Sequence, residues 1–167
     1  MFPDKRILVF VFLMLGLFSV KSWALSTDKD QPVSIEADSV DIDEATETAT
    51  YYGNVVLTQG SINLNASRVV VHDFQSDNAR IVATGKQASF SQEDDNTGEI
   101  IRGKANQMDY GINSARLELS GKASLVKGKN SFRNDKIIYD REKATVKAGI
   151  SAKGKERVKI TIGPKKN

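Results

Sequence analysis

The feature that most restricts this chain is a period of two. In Val33-Ser34-Ile35-Glu36-Ala37-Asp38 the odd positions are apolar and the even ones polar. The same alternation returns in Ser61–Ala66, Arg116–Ser120 and Arg157–Ile162. Successive side chains of a strand point to opposite faces, so each segment has one dry face and one wet face. β-Branched and aromatic residues fill these segments, as strands prefer. Helical spacing is not convincing anywhere, and the chain is expected to be all-β.

Punctuation between the segments is regular. Gly53, Gly85, Gly103 and Gly121 each open a similar phrase: GNVVL, GKQASF, GKANQM and GKASL. A phrase used repeatedly suggests one structural unit used several times, with glycine allowing a bend or bulge at each corner. The architecture expected is an open, twisted antiparallel β-jelly roll, a V-shaped sheet curled over like a taco. Its inward stripe would hold Val33, Ile35, Val55, Leu57, Ile62, Leu64, Val69, Val71, Ile81, Phe90, Met108, Tyr110, Leu117, Leu119, Leu125, Phe132, Ile137, Tyr139 and Val146. Near Val69–Val71 and Ile100–Ile101 the facing stays open, because a shift of one residue reverses it. Asp94–Gly98 reads as a turn with solvated carboxylates. Gly149–Gly154 reads as a connector.

The first residues differ from the rest. Lys5 and Arg6 precede the apolar run Ile7–Val20, and Ser22 and Ala24 supply the small residues of a cleavage site. This is the pattern of a secretory signal, and the run is shorter than the roughly 20 residues a membrane span needs. The domains expected are a signal peptide at 1–24, one β-jelly-roll domain at 25–162 and a disordered tail at 163–167. Setting residues 1–24 aside, 24 basic and 21 acidic residues become 21 and 20. The overall basicity therefore gives no reason to expect nucleic acid. An asymmetry survives instead. Residues 25–65 hold eight carboxylates against Lys29, and residues 147–167 hold seven lysines and arginines against Glu156. Opposite charge at the two ends allows them to attract each other or different partners. With no cysteine, an exported domain of this size must stand on its hydrophobic core.

Catalytic groups are scarce. The one histidine, His72, falls at an outward position at a strand end beside Asp73. Metal sites usually recruit several His or Cys residues. Gly85-Lys86 and Gly121-Lys122 lack the spacing of a phosphate-binding loop. No enzyme and no cofactor is expected. An enzyme on a parallel β-helix, a membrane-anchored binding module and a purely structural stacking protein are among the classes the pattern leaves open.

The phrases Asp30-Gln31-Pro32-Val33-Ser34-Ile35-Glu36-Ala37-Asp38, Tyr52-Gly53-Asn54-Val55-Val56-Leu57 and Leu64-Asn65-Ala66-Ser67-Arg68-Val69, with the glycine phrases after them, resemble the OstA-like family of lipopolysaccharide transport proteins. The resemblance spans nearly all of the chain after the leader. It implies a periplasmic carrier that shields the acyl chains of lipid A, and subunits that stack head to tail. It also implies a bridge from the inner-membrane complex to the outer-membrane translocon, with lipopolysaccharide transport proteins C and D as partners. On that resemblance the lipid-contacting residues are Val33, Ile35, Phe90 and Tyr110, with Val55 and Leu57 less firmly placed. Met108 and Leu117 join them as inward residues of the same stripe.

Overall fold

The computed structural model describes residues 28, 31–76, 78–94 and 97–164. The expected signal peptide lies outside them, as do residues 165–167 of the expected tail. Gly163 and Pro164 of that tail are placed beside Lys129, whose Nζ donates to the Pro164 carbonyl at 2.9 Å.

Ten strands form one antiparallel sheet. They are β1 (Ser34–Glu36), β2 (Ser39–Asp43), β3 (Thr48–Gln59), β4 (Ile62–His72), β5 (Arg80–Glu93), β6 (Ile100–Gly111), β7 (Arg116–Lys127), β8 (Asn130–Asp140), β9 (Thr145–Ala148) and β10 (Lys159–Thr161). The six long strands β3–β8 run up and down as a meander. The sheet is open: β1 and β2 both pair with β3 at one edge, and β9 and β10 both pair with β8 at the other.

Every long pairing is interrupted near its middle. The register shifts between Tyr52 and Val55, Asn65 and Arg68, Thr84 and Ala88, Lys104 and Gln107, and Ser120 and Ala123. Bulges bend the strand that carries them and raise its twist. Aligned across five neighbouring pairings, they form a crease that divides the sheet into two halves. One half carries β1, β10 and the 55–65, 88–104 and 123–134 portions of the long strands. The other carries β2, β9 and the 48–52, 68–84, 107–120 and 136–140 portions.

The halves face each other. Tyr139 lies nine residues along β8 from Asn130, the partner of Lys127. At about 3.3 Å per residue that is roughly 30 Å in a flat strand. Yet Lys127 Nζ sits 5.8 Å from the Tyr139 ring centroid. Likewise a Cβ on Gly103 would lie 3.3 Å from Leu119 Cδ1, although Leu119 pairs with Met108, five residues further along β6. Only a sheet folded along its crease allows both contacts.

This corrects the role expected of one glycine. Gly53 (φ 73°) and Gly121 (φ 74°) do sit at bulges, in left-handed backbone. Gly103 does not. It lies within a regular stretch of β6 opposite Leu125, and its missing side chain makes room for Leu119 of the opposing half and for Phe90. The crease of β6 falls instead after Lys104, where no glycine stands.

The expected inward stripe agrees with the core, with one exception. Val55, Leu57, Ile62, Leu64, Val69, Ile81, Phe90, Met108, Leu117, Leu119, Leu125, Ile137 and Tyr139 are buried together, and Ile35, Val71, Tyr110, Phe132 and Val146 pack against them. Val33 is the exception, about half exposed ahead of β1. The open choice near Ile100–Ile101 resolves to Ile101 inward and Ile100 outward. Small residues, Ala83, Ala88, Ala105 and Ala123, complete the interior. They let the two halves approach closely. The outer face is wet and carries ion pairs such as Arg80–Asp109 and Lys136–Glu118, which at such exposure contribute little stability. Gly149–Ala152 is a short 3-10 helix rather than a plain connector. It passes over the crease of β8, where Asn134 Oδ1 accepts from Gly149 N at 3.0 Å and Asn134 Nδ2 donates to the Glu156 carbonyl at 2.9 Å.

Candidate functional site

The space between the halves is the candidate site, and it is uneven. Toward β6–β8 it is filled by the protein's own side chains. Leu119, Leu125 and Ile137 are fully buried there, and Met108 nearly so. Toward β1–β4 it stays hollow. A cavity of about 290 Å³ lies between β1 on one half and β2–β5 on the other. Its walls are Val33, Ile35, Ile42, Ala49, Tyr51, Val71, Phe74, Ala79, Ile81 and Ile112. That volume is at the lower end of ligand pockets, roughly 300 Å³ upward. Every wall residue is apolar or aromatic. A narrower hollow of about 30 Å³ continues inward between Leu57, Gln59, Ile62, Leu64, Phe90 and Gln92 of one half and Ile81, Tyr110 and Leu117 of the other. Ile81 lines both.

The eight residues singled out from the sequence divide into three groups. Val33 and Ile35 line the larger cavity. Leu57, Phe90, Tyr110 and Leu117 line the narrower one. Val55 and Met108 line neither and are enclosed at 1% exposure. The wall residues that sequence reasoning missed are Ile42, Ala49, Tyr51, Phe74, Ala79 and Ile112. Ile42 belongs to an alternating segment, Asp41-Ile42-Asp43. Phe74 and Ile112 stand in turns, where an apolar residue with no strand to support it is itself a signal.

The mouth of the folded sheet, where the turns of the two halves meet, is polar. Asp28 is 5% exposed. Its carboxylate accepts from Ser61 N at 2.7 Å, Ser61 Oγ at 2.8 Å and Gln92 Nε2 at 2.9 Å, and lies 3.6 Å from Arg141 Nη2 of the other half. Asp94 is also buried, contrary to the solvated turn carboxylate expected for it. It accepts from Lys127 Nζ at 2.8 Å and from Thr97 N at 3.1 Å. The turn folds Asp94 back because its position continues the inward register of Ala88, Phe90 and Gln92. Burial works against the Lys127 ammonium, but the hydrogen bond to Asp94 and the field of the nearby hydroxyl and carboxylates outweigh it, so its pKa lies above that of an ordinary lysine. Burial raises the Tyr139 hydroxyl, in the combined field of Lys127, Asp94 and Arg141. His72 ends β4, half-buried, and among the described residues no three His, Asp or Glu side chains come together to hold a metal ion.

Both edges of the sheet are short strands. All five residues of β2 and all three of β10 are exposed, including Val40, Ile42 and Ile160. One hydrogen-bonded row crosses the whole outer face of the first half, from Glu36 on β1 through Val56, Asn65, Ser89, Lys104, Ser124 and Arg133 to Lys159 on β10. It begins with an acid and ends with bases.

The architecture has solved and curated counterparts. The crystal structure of LptH, the LptA homologous periplasmic component of the lipopolysaccharide transport device of Pseudomonas aeruginosa, superposes with a TM-score of 0.75 at 26% identity, covering 83% of this chain and 100% of that one. In sequence, the lipopolysaccharide export system protein LptH of the same organism is 30% identical over 160 residues, 92% of this chain and 91% of LptH. The lipopolysaccharide export system protein LptA of Escherichia coli K12 is 35% identical over 146 residues, 86% of this chain and 78% of that protein. LptA of Haemophilus influenzae is 32% identical over 164 residues, with 96% and 92% covered. These relatives are transport proteins, not enzymes. The family described as LptA/(LptD N-terminal domain) LPS transport protein matches residues 34–145, most of the creased sheet, and the chain belongs to it.

Proposed function

We propose that this protein is a periplasmic carrier that takes up the acyl chains of lipopolysaccharide between the halves of its folded sheet and passes them toward the outer membrane. The observation that carries the reading is the apolar cavity walled by Val33, Ile35, Tyr51, Phe74 and Ile112 at the β1–β2 edge. It leads inward to Leu57, Phe90, Tyr110 and Leu117. Burying each methylene of an acyl chain is worth roughly 0.8 kcal/mol, so ten give about 8 kcal/mol. That is enough to hold a chain while the polar end stays in water. The filled interior at β6–β8 sets a condition: a chain moving further along must part the halves there, displacing Leu119 from Gly103. No bond is made or broken in this role.

Edge pairing between copies would lengthen the path. Among the described residues, each edge strand offers backbone N–H and C=O groups on its outer side, and strand addition would satisfy them. If β10 of one copy met β1 of the next, Lys159 would arrive beside Glu36 in the same row. Lipopolysaccharide transport proteins C and D, with related sheets, would use the same two edges to complete a bridge across the periplasm.

Photocrosslinking in living cells tests the carrier role. A photoreactive residue at Ile35 or Phe90 should capture lipopolysaccharide, and one at Glu118, held on the outer face by Lys136 at 2.5 Å, should not. Adducts at all three positions, or at Glu118 alone, would remove the basis for an interior path.

A further inference from the structure

The polar cluster at the mouth is an unusual use of inward positions. Gln92 and Asp94 follow Phe90 at the inward register of β5, Lys127 follows Leu125 on β7, and Arg141 follows Tyr139 beyond β8. Of these only Gln92 lines the narrower cavity, and it donates to Asp28, while the Asp94–Lys127 pair lies beside Tyr139. Buried ion pairs seldom stabilise a fold better than apolar residues of similar size. Two of them at the mouth of a folded sheet with an apolar interior call for another reason.

We propose that the Asp28–Arg141 and Asp94–Lys127 pairs form a site for the phosphate-type head group of an amphiphile whose chain lies in the cavity beneath. This rests on the carrier reading above and adds the chemistry of the polar end. Three features support it. First, the two cations are mostly buried but accessible, their side chains 18% and 20% exposed, so an anion at the mouth reaches them in a partly desolvated setting. Charge-assisted hydrogen bonds are strongest in such settings. Second, each carboxylate keeps other donors when its cation turns away. Asp28 retains Ser61 N, Ser61 Oγ and Gln92 Nε2, and Asp94 retains Thr97 N. Exchange therefore leaves no buried carboxylate bare. Third, Arg141 and Asp28 form an ion pair at 3.6 Å across the two halves, so an anion held by Arg141 at the mouth would be gripped from the half opposite Ser61 and Gln92. Binding would exchange the Asp28–Arg141 tie between the halves, and the Asp94–Lys127 pair within one of them, for one ligand held by both cations, loosening the mouth as the head group arrives.

The test compares two twelve-carbon amphiphiles, dodecyl phosphate and dodecyl maltoside, displacing the apolar fluorophore 1-N-phenylnaphthylamine from the purified protein. The readout is the ratio of their affinities. Arg141→Gln and Lys127→Gln are each expected to lower the preference for the phosphate about tenfold, Arg141→Lys to retain most of it, and Asp28→Asn to raise it by removing a competing carboxylate. Urea melts identify any variant that fails to fold, and the pairs are separate enough in sequence that the other cation then supplies the result. A ratio that stays within about twofold in both Gln variants would overturn the head-group site. So would equal loss of both amphiphiles, which marks a plain latch. If the unmodified protein binds neither amphiphile and no fluorophore, the carrier reading itself fails, a result distinct from the other two.

Discussion

The two ends of the interior obey the same alternation and end up different. Between β6 and β8 the halves touch, because Gly103 has no side chain and Leu119 occupies the space. Between β1 and β4 they stand apart around a cavity of about 290 Å³. The filled end holds the fold together, and the hollow end is free to take a guest. Inward apolar residues are thus not one class. Those at the filled end act as core, and those at the hollow end form a lining.

The strongest way to break that distinction is mutation on each side of it. Leu119→Ala removes a fully buried side chain that joins the halves, and should cost about 2–5 kcal/mol by urea unfolding. Ile35→Ala, on the cavity wall and only half-buried, should cost under about 1.5 kcal/mol. Equal costs would mean that the interior is uniform. Gly103→Val attacks the contact from the other side. Its Cβ would lie 3.3 Å from Leu119 Cδ1 and 3.7 Å from Phe90 Cδ1, so overpacking should cost about 1–3 kcal/mol. If it left stability intact, the filled end would be looser than the geometry requires.

Binding sharpens the contrast at the hollow end. Ile35→Asp places a charge in an apolar wall and should weaken uptake of 1-N-phenylnaphthylamine about tenfold, a change of about 1.4 kcal/mol, with the urea midpoint little moved. A smaller effect is expected at the edges. Reversing Lys147, Lys153 and Lys155 to Glu should reduce self-association in sedimentation, and the wild-type association itself should weaken as salt rises. Unchanged assembly would remove charge as the orienting force.

The smallest effect concerns acid. The backbone N–H of Lys155 donates to the Asp135 carboxylate at 2.9 Å, burial opposes it, and the N–H of Glu156 adds to it, so the Asp135 pKa lies below the ordinary value of 3.8. A carboxyl depressed by folding adds stability that is present above its unfolded pKa and lost as pH falls through the lower folded value. Amide exchange at Lys155 and Glu156, corrected for intrinsic rates, should therefore accelerate only below about pH 3.8. Amides of the Leu119 strand should keep their protection. Uniform loss along the chain would show that the filled end shares the acid sensitivity of the loop.

Much of the fold was legible because the strand period is local. Alternation assigned Leu57, Phe90, Leu117 and Ile137 to the inner face, and the expected all-β open antiparallel sheet agrees with the structure. The polar rim was also written in the register, since Gln92, Asp94 and Lys127 continue inward runs. Turn composition points Asp94 to solvent, because solvated carboxylates are usual in turns. Val33 keeps its alternation but precedes the first pairing residue, so it lines the larger cavity half-exposed instead of joining the core.

By itself the sequence determined which side of each strand is dry, since that depends only on neighbours two residues apart. Only the tertiary structure decided which dry residues meet. Leu119 reaches Gly103 and Lys127 reaches Tyr139 because five bulges align and the twisted halves close at one particular angle. That angle depends on the packing of all the strands at once. No local pattern carries it, so the difference between a filled core and a hollow lining appears only when the sheet has folded.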